Sequence, residues 1–464
     1  MSISPSELRV AIVGSGPAGF YAAEALQKAA PGIRVDLFDR LPTPFGLVRG
    51  GVAPDHPKIK SVTRIFDRIA TQPGFRFLGH VRLGEDVSVE ELRAHYDVLI
   101  VAVGAETDHA LGIPGEHLAG SHAATEFVGW FNGHPDYVES VFDLSQHAVA
   151  IVGIGNVAMD VARILAKNPD HLATTDIADP ALRALRTSRV ETIHLLARRG
   201  PVQAACTTPE LRELGELEGV DIAVDPRDLE LDPASAEQLA KSEDRTPAKN
   251  LEVLRSWAER LPSGAPRKIV VHFNVSPVEL AGAHRVEAVE LVRNRLEADP
   301  RGGVRAVATG EKHQIPVGLV FRSVGYRGMP LNGLPFDDRR GVIPNVAGRV
   351  VEGPGSATAI PGVYVCGWIK RGPQGVIGTN KSCAAATVEQ LLADVKAGVI
   401  HPAMGAQESI DDLLRGRGIV VTSWEDWLLL DQAEQERGAA AGRPREKVTS
   451  VVDMLEIIRA RRQG

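Results

Sequence analysis

Short apolar runs alternate with amphipathic stretches along most of the chain, and this pattern predicts strands that alternate with helices. The first apolar run ends at Val13, a helical pattern covers Pro17 to Ala29, and a second run covers Arg34 to Phe38. Such alternation is typical of parallel sheets with crossover helices. We therefore expect an α/β fold.

A glycine-rich turn between a strand and a helix occurs twice. The first turn follows the run that ends at Val13, and the second follows Val149 to Val152. In this motif the first glycine permits a tight turn, the second lets the backbone approach a pyrophosphate, and the third small residue lets the helix pack on the strand. Two such turns predict two Rossmann-like dinucleotide-binding domains with parallel sheets. The candidate residues are Gly14, Gly16, Ala18 and Gly19 in the first turn, and Gly155, Asn156, Val157 and Ala158 in the second.

Two similar apolar runs enclose the second motif and predict how the domains are connected. The runs Val98 to Val103 and Leu319 to Val324 are each followed by a glycine, and they resemble matching return strands. We therefore expect residues 107–329 to form a domain inserted into a discontinuous first domain, residues 1–106 and 330–464.

The remaining elements follow from the same patterns. After the inserted domain we expect a strand over Gly362 to Trp368 and a helix over about Thr379 to Val395. The polar stretch Asp232 to Asn250 is interpreted as a surface excursion. Gly438 to Arg443 is interpreted as a flexible joint before a final amphipathic helix, Lys447 to Ala460.

The residues that follow the second strand of each unit carry opposite charges. Asp39 follows Arg34 to Phe38, and a carboxylate there accepts hydrogen bonds from ribose hydroxyls and repels a 2′-phosphate, which favours FAD. Arg198 and Arg199 follow Thr192 to Ala197, and guanidinium groups bind phosphate, which favours NADP over NAD. The alternative for the arginine pair is a solvated loop.

Composition narrows the class of protein. The 464 residues, 44% of them hydrophobic, suffice for two domains, and the net charge of −7 gives no global attraction to nucleic acid or to anionic membranes. The polar N-terminus and the lack of a spanning apolar run favour a cytoplasmic location. The three cysteines, Cys206, Cys366 and Cys383, form no CxxC pair and no cluster spacing, so we expect no metal and assign the redox chemistry to a bound cofactor.

Longer segments carry a resemblance to a known family. Residues 41–58, 155–160 and 198–201, together with the stretch from Gly367 to Thr379, closely resemble the adrenodoxin-reductase type of ferredoxin-NADP reductase, nearest to its bacterial branch. The resemblance covers nearly the whole chain from Leu8. It implies a flavoenzyme that takes hydride from NADPH on FAD and passes single electrons to a ferredoxin or similar small iron-sulfur protein.

The resemblance also implies further site residues. Besides the first glycine turn and Asp39, FAD would contact Gly46, Leu47, Val81, Trp368, Gly375, Val376 and Ile377. Besides the second turn and the arginine pair, NADP would contact Glu210 and Gly375. A departure from the family pattern is His109, which stands where close relatives carry an arginine and which would hold phosphate less firmly.

Three catalytic candidates come from the same family pattern. His56 lies between prolines in a rigid segment and would pair with a glutamate, here Glu213, in a positioning role. Asp160 is either a helix-terminal charge or the active-site carboxylate of the family. Cys206 is interpreted as a small core residue.

The acceptor and the rival functions complete the expectations. We expect a monomer or a weak dimer. An acidic ferredoxin would be attracted by basic side chains on its surface. The candidates for that patch are Arg40, Arg49, Lys58, Lys60, Arg64, Arg212, Lys241 and Arg245. The alternatives are an NADPH-dependent flavin monooxygenase, whose linker motif is absent, and a non-catalytic sensor that binds FAD and NADP without turnover.

Overall fold

A computed structural model describes residues 4–300, 302–403 and 409–463 and divides the chain into two compact units. The first unit contains residues 1–52, 56–107 and 326–464 within these limits, and the second contains residues 53–55 and 108–325. The second unit thus ends at Gly325, and it includes Ala53–Asp55, which the sequence did not predict.

The first unit contains a seven-stranded sheet that is parallel except at one edge. The two edge strands Asn345–Val346 and Arg349–Val351 pair in antiparallel fashion. In spatial order the strands are Asn345–Val346, Arg349–Val351, Ala359–Val365, Val98–Val101, Arg9–Val13, Arg34–Phe38 and Phe75–Leu78.

Helices complete this unit. They are Pro17–Ala29, Leu47–Gly50, Pro57–Lys60, Thr63–Ala70, Val89–His95, Trp368–Arg371, Thr379–Lys396, Ile410–Gly416, Trp424–Ala440 and Val451–Gln463, with a 3₁₀ turn at Pro5–Glu7. The strand predicted to extend to Trp368 ends at Val365, and Trp368 instead begins a short helix.

The first sheet is buried on both faces. Successive side chains of a strand point to opposite faces, so each central strand contributes to two apolar cores. Val10 and Ile12 join one apolar core together with Phe20 of the helix Pro17–Ala29. Ala11 and Val13 join another core together with Leu92. This two-sided burial explains why the central strands are continuous apolar runs.

The second unit contains a six-stranded parallel sheet and a three-stranded antiparallel sheet. The parallel strands in spatial order are Ser121–Ala123, Leu319–Arg322, Ala148–Val152, Thr192–Leu196, Arg267–His272 and Val220–Val224. The antiparallel strands are Val275–Ala281, Ala288–Ala298 and Val304–Pro316. Two further short strands, Thr107–Asp108 and Tyr326–Arg327, lie at the positions in the sequence where the chain passes from one unit to the other.

The two faces of the parallel sheet in the second unit have different covers. Val149 and Ile151 point into a core made with the helices, whereas Ala150 and Val152 point into a core shared with the antiparallel sheet. The helices are Ala124–Phe131, Asn156–Ala166, Pro169–Leu172, Asp179–Arg186, Thr208–Leu214, Pro233–Lys241 and Thr246–Ala258, with 3₁₀ turns at Pro201–Gln203 and Pro226–Leu229.

The two stretches interpreted from polar composition have different outcomes. Asp232 to Asn250 is mostly exposed or half-buried, in keeping with a surface excursion, but it is mostly helical: Asp232 caps Pro233–Lys241, and Asn250 is fully buried. Gly438 belongs to the helix Trp424–Ala440, and a Cβ there would overlap the backbone of Arg445. The expected flexible joint is therefore a close-packed corner.

The third glycine of the first turn provides a test of the fold. A Cβ on Gly19 would overlap the carbonyl oxygen of Gly14, whereas a Cβ on Gly16 would meet no atom within 4 Å. We expect Gly19→Ala to lower the free energy of unfolding of the cofactor-free protein by about 1–3 kcal/mol, as overpacking does. Urea denaturation measures this change. The matched variant Gly16→Ala should leave the stability unchanged, and equal effects of the two variants would contradict the close packing.

Candidate functional site

The first glycine turn is closed on its strand side and open on the other. The Gly14 amide donates to the carbonyl oxygen of Phe38 over 2.8 Å, and Gly14 has φ +109°, so that a Cβ would lie 2.6 Å from the carbonyl oxygen of Ala102. The space beside Gly16 is empty of protein atoms within 4 Å of an added Cβ. A dinucleotide-binding turn requires this arrangement.

Asp39 is fixed against this turn. Its Oδ2 accepts hydrogen bonds from the Ser15 amide (2.9 Å) and the Ser15 hydroxyl (2.5 Å), and its Oδ1 accepts one from the Leu41 amide (3.0 Å). A carboxylate accepts about four hydrogen bonds. The capacity left for a ligand therefore lies mainly on Oδ1. Val81 also contacts Asp39, because its amide donates a hydrogen bond to the Asp39 carbonyl oxygen over 2.8 Å.

Two further segments meet the first turn. The Phe45 amide donates to the Ser15 carbonyl oxygen over 3.0 Å, and a Cβ on Gly46 would lie 3.0 Å from the Cα of Gly16. Leu47 follows as the first residue of a short helix. On another side, a Cβ on Gly367 would lie 2.6 Å from the Cβ of Ala18. The structure thus brings together residues that are far apart in the sequence.

The stretch after Gly367 contains a buried polar group without a hydrogen-bond partner in the described residues and an exposed apolar side chain. The Trp368 Nε1 is buried and has no hydrogen-bond partner among the described residues. Gly375 has φ +82°, Val376 is 59% exposed, and Ile377 packs against the apolar core. The helix Thr379–Lys396 begins just after these residues, as the sequence predicted.

The second glycine turn repeats the geometry of the first. The Gly153 amide donates to the Leu196 carbonyl oxygen over 2.9 Å, and a Cβ on Gly153 would overlap the carbonyl oxygen of Ser323. Gly155 again has no atom within 4 Å of an added Cβ. Asn156 begins the following helix, where Val157 is half-buried and Ala158 fully buried.

The arginine pair follows the strand that neighbours this turn. Both side chains are exposed, and in the described part of the chain neither Arg198 nor Arg199 forms an ion pair. Partial burial and the positive charge of Arg198 lower the pKa of Arg199. Two adjacent guanidinium groups without a carboxylate form a site of positive potential that favours an anion.

A buried guanidinium that the sequence reasoning missed organises the acidic candidates. Arg163 is completely buried and donates to Asp55 (2.8 and 3.1 Å), Asp160 (2.5 Å) and Glu210 (3.2 Å), while its Nη1 lies 3.9 Å from Glu213. A buried charge of this kind requires paired and hydrogen-bonded partners. Arg163 stands three residues after Asp160 on one helix, and this i, i+3 spacing was the available signal.

Asp55 is a carboxylate of this cluster whose pKa is strongly perturbed. Burial raises its pKa, but hydrogen bonds and charge from Arg163 and Lys167 outweigh burial and hold the pKa well below its usual value. The Lys167 Nζ lies 2.9 Å from Asp55. Asp55 is therefore held by two cations, Arg163 and Lys167.

Three further residues were singled out in the sequence: Cys206, His109 and His56. Cys206 is buried, and burial raises its pKa to about 12, in keeping with a core residue. The His109 amide donates to the Gly325 carbonyl oxygen over 3.1 Å. His56 belongs to the first unit and Glu213 to the second, and their pairing stays a prediction.

Comparison with known proteins agrees with this geometry. A family model described as pyridine nucleotide-disulphide oxidoreductase matches residues 8–223. The chain is 47% identical to the NADPH-ferredoxin reductase FprA of Mycobacterium tuberculosis H37Rv over 97% of this chain and 98% of that protein. It is 43% identical to the mitochondrial NADPH:adrenodoxin oxidoreductase of Arabidopsis thaliana over 98% and 96% of the two chains. The structure of M. tuberculosis FprA in complex with NADPH matches with a TM-score of 0.90, covering 97% of this chain and 99% of that one.

The fold and the two turns define an α/β oxidoreductase with two dinucleotide-binding domains. Within that class, the chain belongs to the family of NADPH-ferredoxin and NADPH:adrenodoxin reductases.

The dependence of the second unit on Arg163 can be measured. We expect Arg163→Met to destabilise the protein by about 3–5 kcal/mol, because several partly buried carboxylates lose their shared cation. Urea denaturation near neutral pH measures this loss. The control is Arg183→Met, at an exposed arginine of the helix Asp179–Arg186. A loss no larger than that of the control would contradict the assigned role.

Proposed function

We propose that this chain is an FAD-containing ferredoxin-NADP reductase, which takes hydride from NADPH and passes electrons singly to a ferredoxin-type iron-sulfur protein. The observation that carries the proposal is the repeated open turn with opposite charges beside it: Asp39 at the first turn and the arginine pair at the second. The names of the relatives support the same activity.

The first unit fits FAD. The described protein leaves open space at Gly16, a buried Trp368 Nε1 without a hydrogen-bond partner, and an exposed Val376, all of which a bound group would cover. FAD, when bound, supplies the step from two-electron to one-electron chemistry. Asp39 accepts a hydroxyl hydrogen bond and Ser15 holds that carboxylate in place. The FAD-binding residues are Gly14, Gly16, Ala18, Gly19, Asp39, Gly46, Leu47, Val81, Trp368, Gly375, Val376 and Ile377.

The second unit fits NADP. Arg198 and Arg199 hold the 2′-phosphate, and the amides at the start of the helix Asn156–Ala166 face the pyrophosphate. The Asn156 side chain already accepts from the Thr207 amide over 2.8 Å, so this residue shapes the turn as well. The NADP-binding residues are Gly155, Asn156, Val157, Ala158, Arg198, Arg199, Glu210 and Gly375.

The acidic cluster positions the nicotinamide end. Arg163 fixes the orientation of Asp160 and Glu210, and Glu213 lies at the edge of the same group. These carboxylates hold the carboxamide or relay a proton to solvent, and a positioning role is proposed for His56, while hydride transfer itself requires no acid from the protein. The N-terminus of the helix Thr379–Lys396 favours negative charge near the flavin ring.

The docking of the acceptor is attributed to basic side chains. In the first unit Lys58 and Arg64 are exposed and suit an acidic ferredoxin. Arg49 is removed from this patch, because its side chain is 11% exposed and bound to Glu434. No described helix is long and apolar enough to cross a membrane. The cytoplasmic location and the monomer or weak dimer remain predictions.

An anaerobic titration tests the function. We expect the purified yellow protein to bleach with NADPH and to recover its colour when ferredoxin is added. A flavin monooxygenase would recover only with oxygen and an organic substrate, and a sensor would bind both nucleotides without turnover. Failure of every ferredoxin to restore the colour would refute the proposal.

The arginine pair should determine the choice of coenzyme. We expect the double variant Arg198→Ala/Arg199→Ala to lose about 10- to 100-fold in kcat/KM with NADPH, the effect of one charged hydrogen bond, and to retain its rate with NADH. Steady-state kinetics with a dye acceptor measure both values. The matched control is Arg183→Ala/Arg186→Ala, which removes two exposed arginines from the helix Asp179–Arg186. An unchanged NADPH to NADH ratio would refute the assignment.

A further inference from the structure

The segment that meets the first glycine turn has an unusual backbone conformation. Phe45 has φ +86°, a value that a bulky L residue rarely adopts, and Gly46 follows with φ +48°. Such conformations persist only where the surrounding structure imposes them. The segment Phe45–Gly51, which carries Gly46 and Leu47, is therefore held by contacts outside itself.

One helix of the same unit contacts the beginning of this segment. Trp424 and Trp427 belong to the helix Trp424–Ala440, and their rings pack edge-on against Phe45 with centroids 6.0 and 5.6 Å away. Trp427 also lies under the guanidinium of Arg49, 5.3 Å from its Cζ. The helix thus contacts both the strained residue and the residue four positions later.

The same helix binds Arg49 of the segment through a buried carboxylate. Glu434 is completely buried and accepts two hydrogen bonds from Arg49, the Nη1 contact being 2.8 Å. It also accepts from Arg445 Nη1 (3.1 Å) and from the Val448 amide (2.9 Å). Burial raises its pKa, but the two arginines and the amide outweigh burial and keep the carboxyl ionised.

We propose that Glu434 is a positioning residue for FAD, which holds the segment Phe45–Gly51 against the first glycine turn through Arg49. Trp427 and Glu434 are seven residues apart, two helical turns, and so share one face of the helix. That face contacts the segment at Phe45 and at Arg49. The inference rests on the proposed function only in that the segment binds FAD.

The consequence is a division of labour within the first unit. The glycine turn and Asp39 supply the groups for the nucleotide, while a helix about 385 positions away in sequence fixes the segment beside them. Losing Glu434 should therefore change the affinity of the folded protein for FAD in addition to its stability.

The test compares two identical substitutions on one helix. Glu434→Gln keeps the shape of the side chain and removes its charge, and Glu436→Gln removes an exposed carboxylate that pairs with Arg461. The full-length cofactor-free proteins are titrated with FAD and followed by quenching of flavin fluorescence. We expect Glu434→Gln to bind FAD at least about tenfold more weakly and Glu436→Gln to bind like the wild type.

A second variant and a second measurement separate positioning from stability. Arg49→Lys keeps the charge and loses the two-pronged hydrogen bond, and we expect a loss of affinity of roughly three- to tenfold. The unfolding temperature with and without FAD is measured for each variant, and the rise caused by FAD should shrink for Glu434→Gln.

The outcomes are distinct. Wild-type FAD affinity in Arg49→Lys, or in a folded Glu434→Gln protein, would overturn the positioning role, even if both forms were less stable. If Glu434→Gln does not fold, Arg49→Lys decides. A wild-type chain that binds no FAD would refute the proposed function instead.

Discussion

Both units depend on one constraint: the first glycine of each glycine-rich turn packs directly against the backbone of a neighbouring segment. Gly14 and Gly153 have φ values of +109° and +132°, and each lies against the carbonyl oxygen at the end of a neighbouring strand. A side chain at either position would overlap that carbonyl group and push the strand away. The close packing of each turn against its neighbouring strand therefore depends on the missing Cβ atom.

Charge is then distributed around these turns in two different ways. Some charged groups are satisfied by the protein: Arg163 has carboxylates on several sides, and Glu434 has two arginines and an amide. Such buried ion pairs add little to the free energy of unfolding on average. Removal of one partner lowers it strongly, because the other charge remains buried and uncompensated. These groups fix the positions of loops and helices rather than supply chemistry.

Local patterns explain what the sequence could predict. The helix Pro17–Ala29 and the strand Arg34–Phe38 have the predicted bounds, because apolar periodicity and a glycine turn are local signals. The bonds from Arg163 to Asp55 and from Arg49 to Glu434 join residues 108 and 385 positions apart, so that no short pattern encodes them. Asp232 shows a missed local signal: an aspartate before a proline caps a helix, and no helix was predicted within the surface excursion that begins there.

The proposed ligand sites lie beside charges that the described protein leaves without a full set of partners. Arg198 and Arg199 repel each other and have no carboxylate partner in the described residues, an arrangement that is unfavourable until an anion arrives. Asp39 is the opposite case, since Ser15 and Leu41 occupy part of its capacity and leave the remainder of Oδ1 for a donor. A phosphate would relieve the first arrangement and would be repelled by the second, whereas a ribose hydroxyl suits only the second. Because the two turns share one backbone geometry, the proposed assignment of one nucleotide to each turn rests on this difference in neighbouring charge.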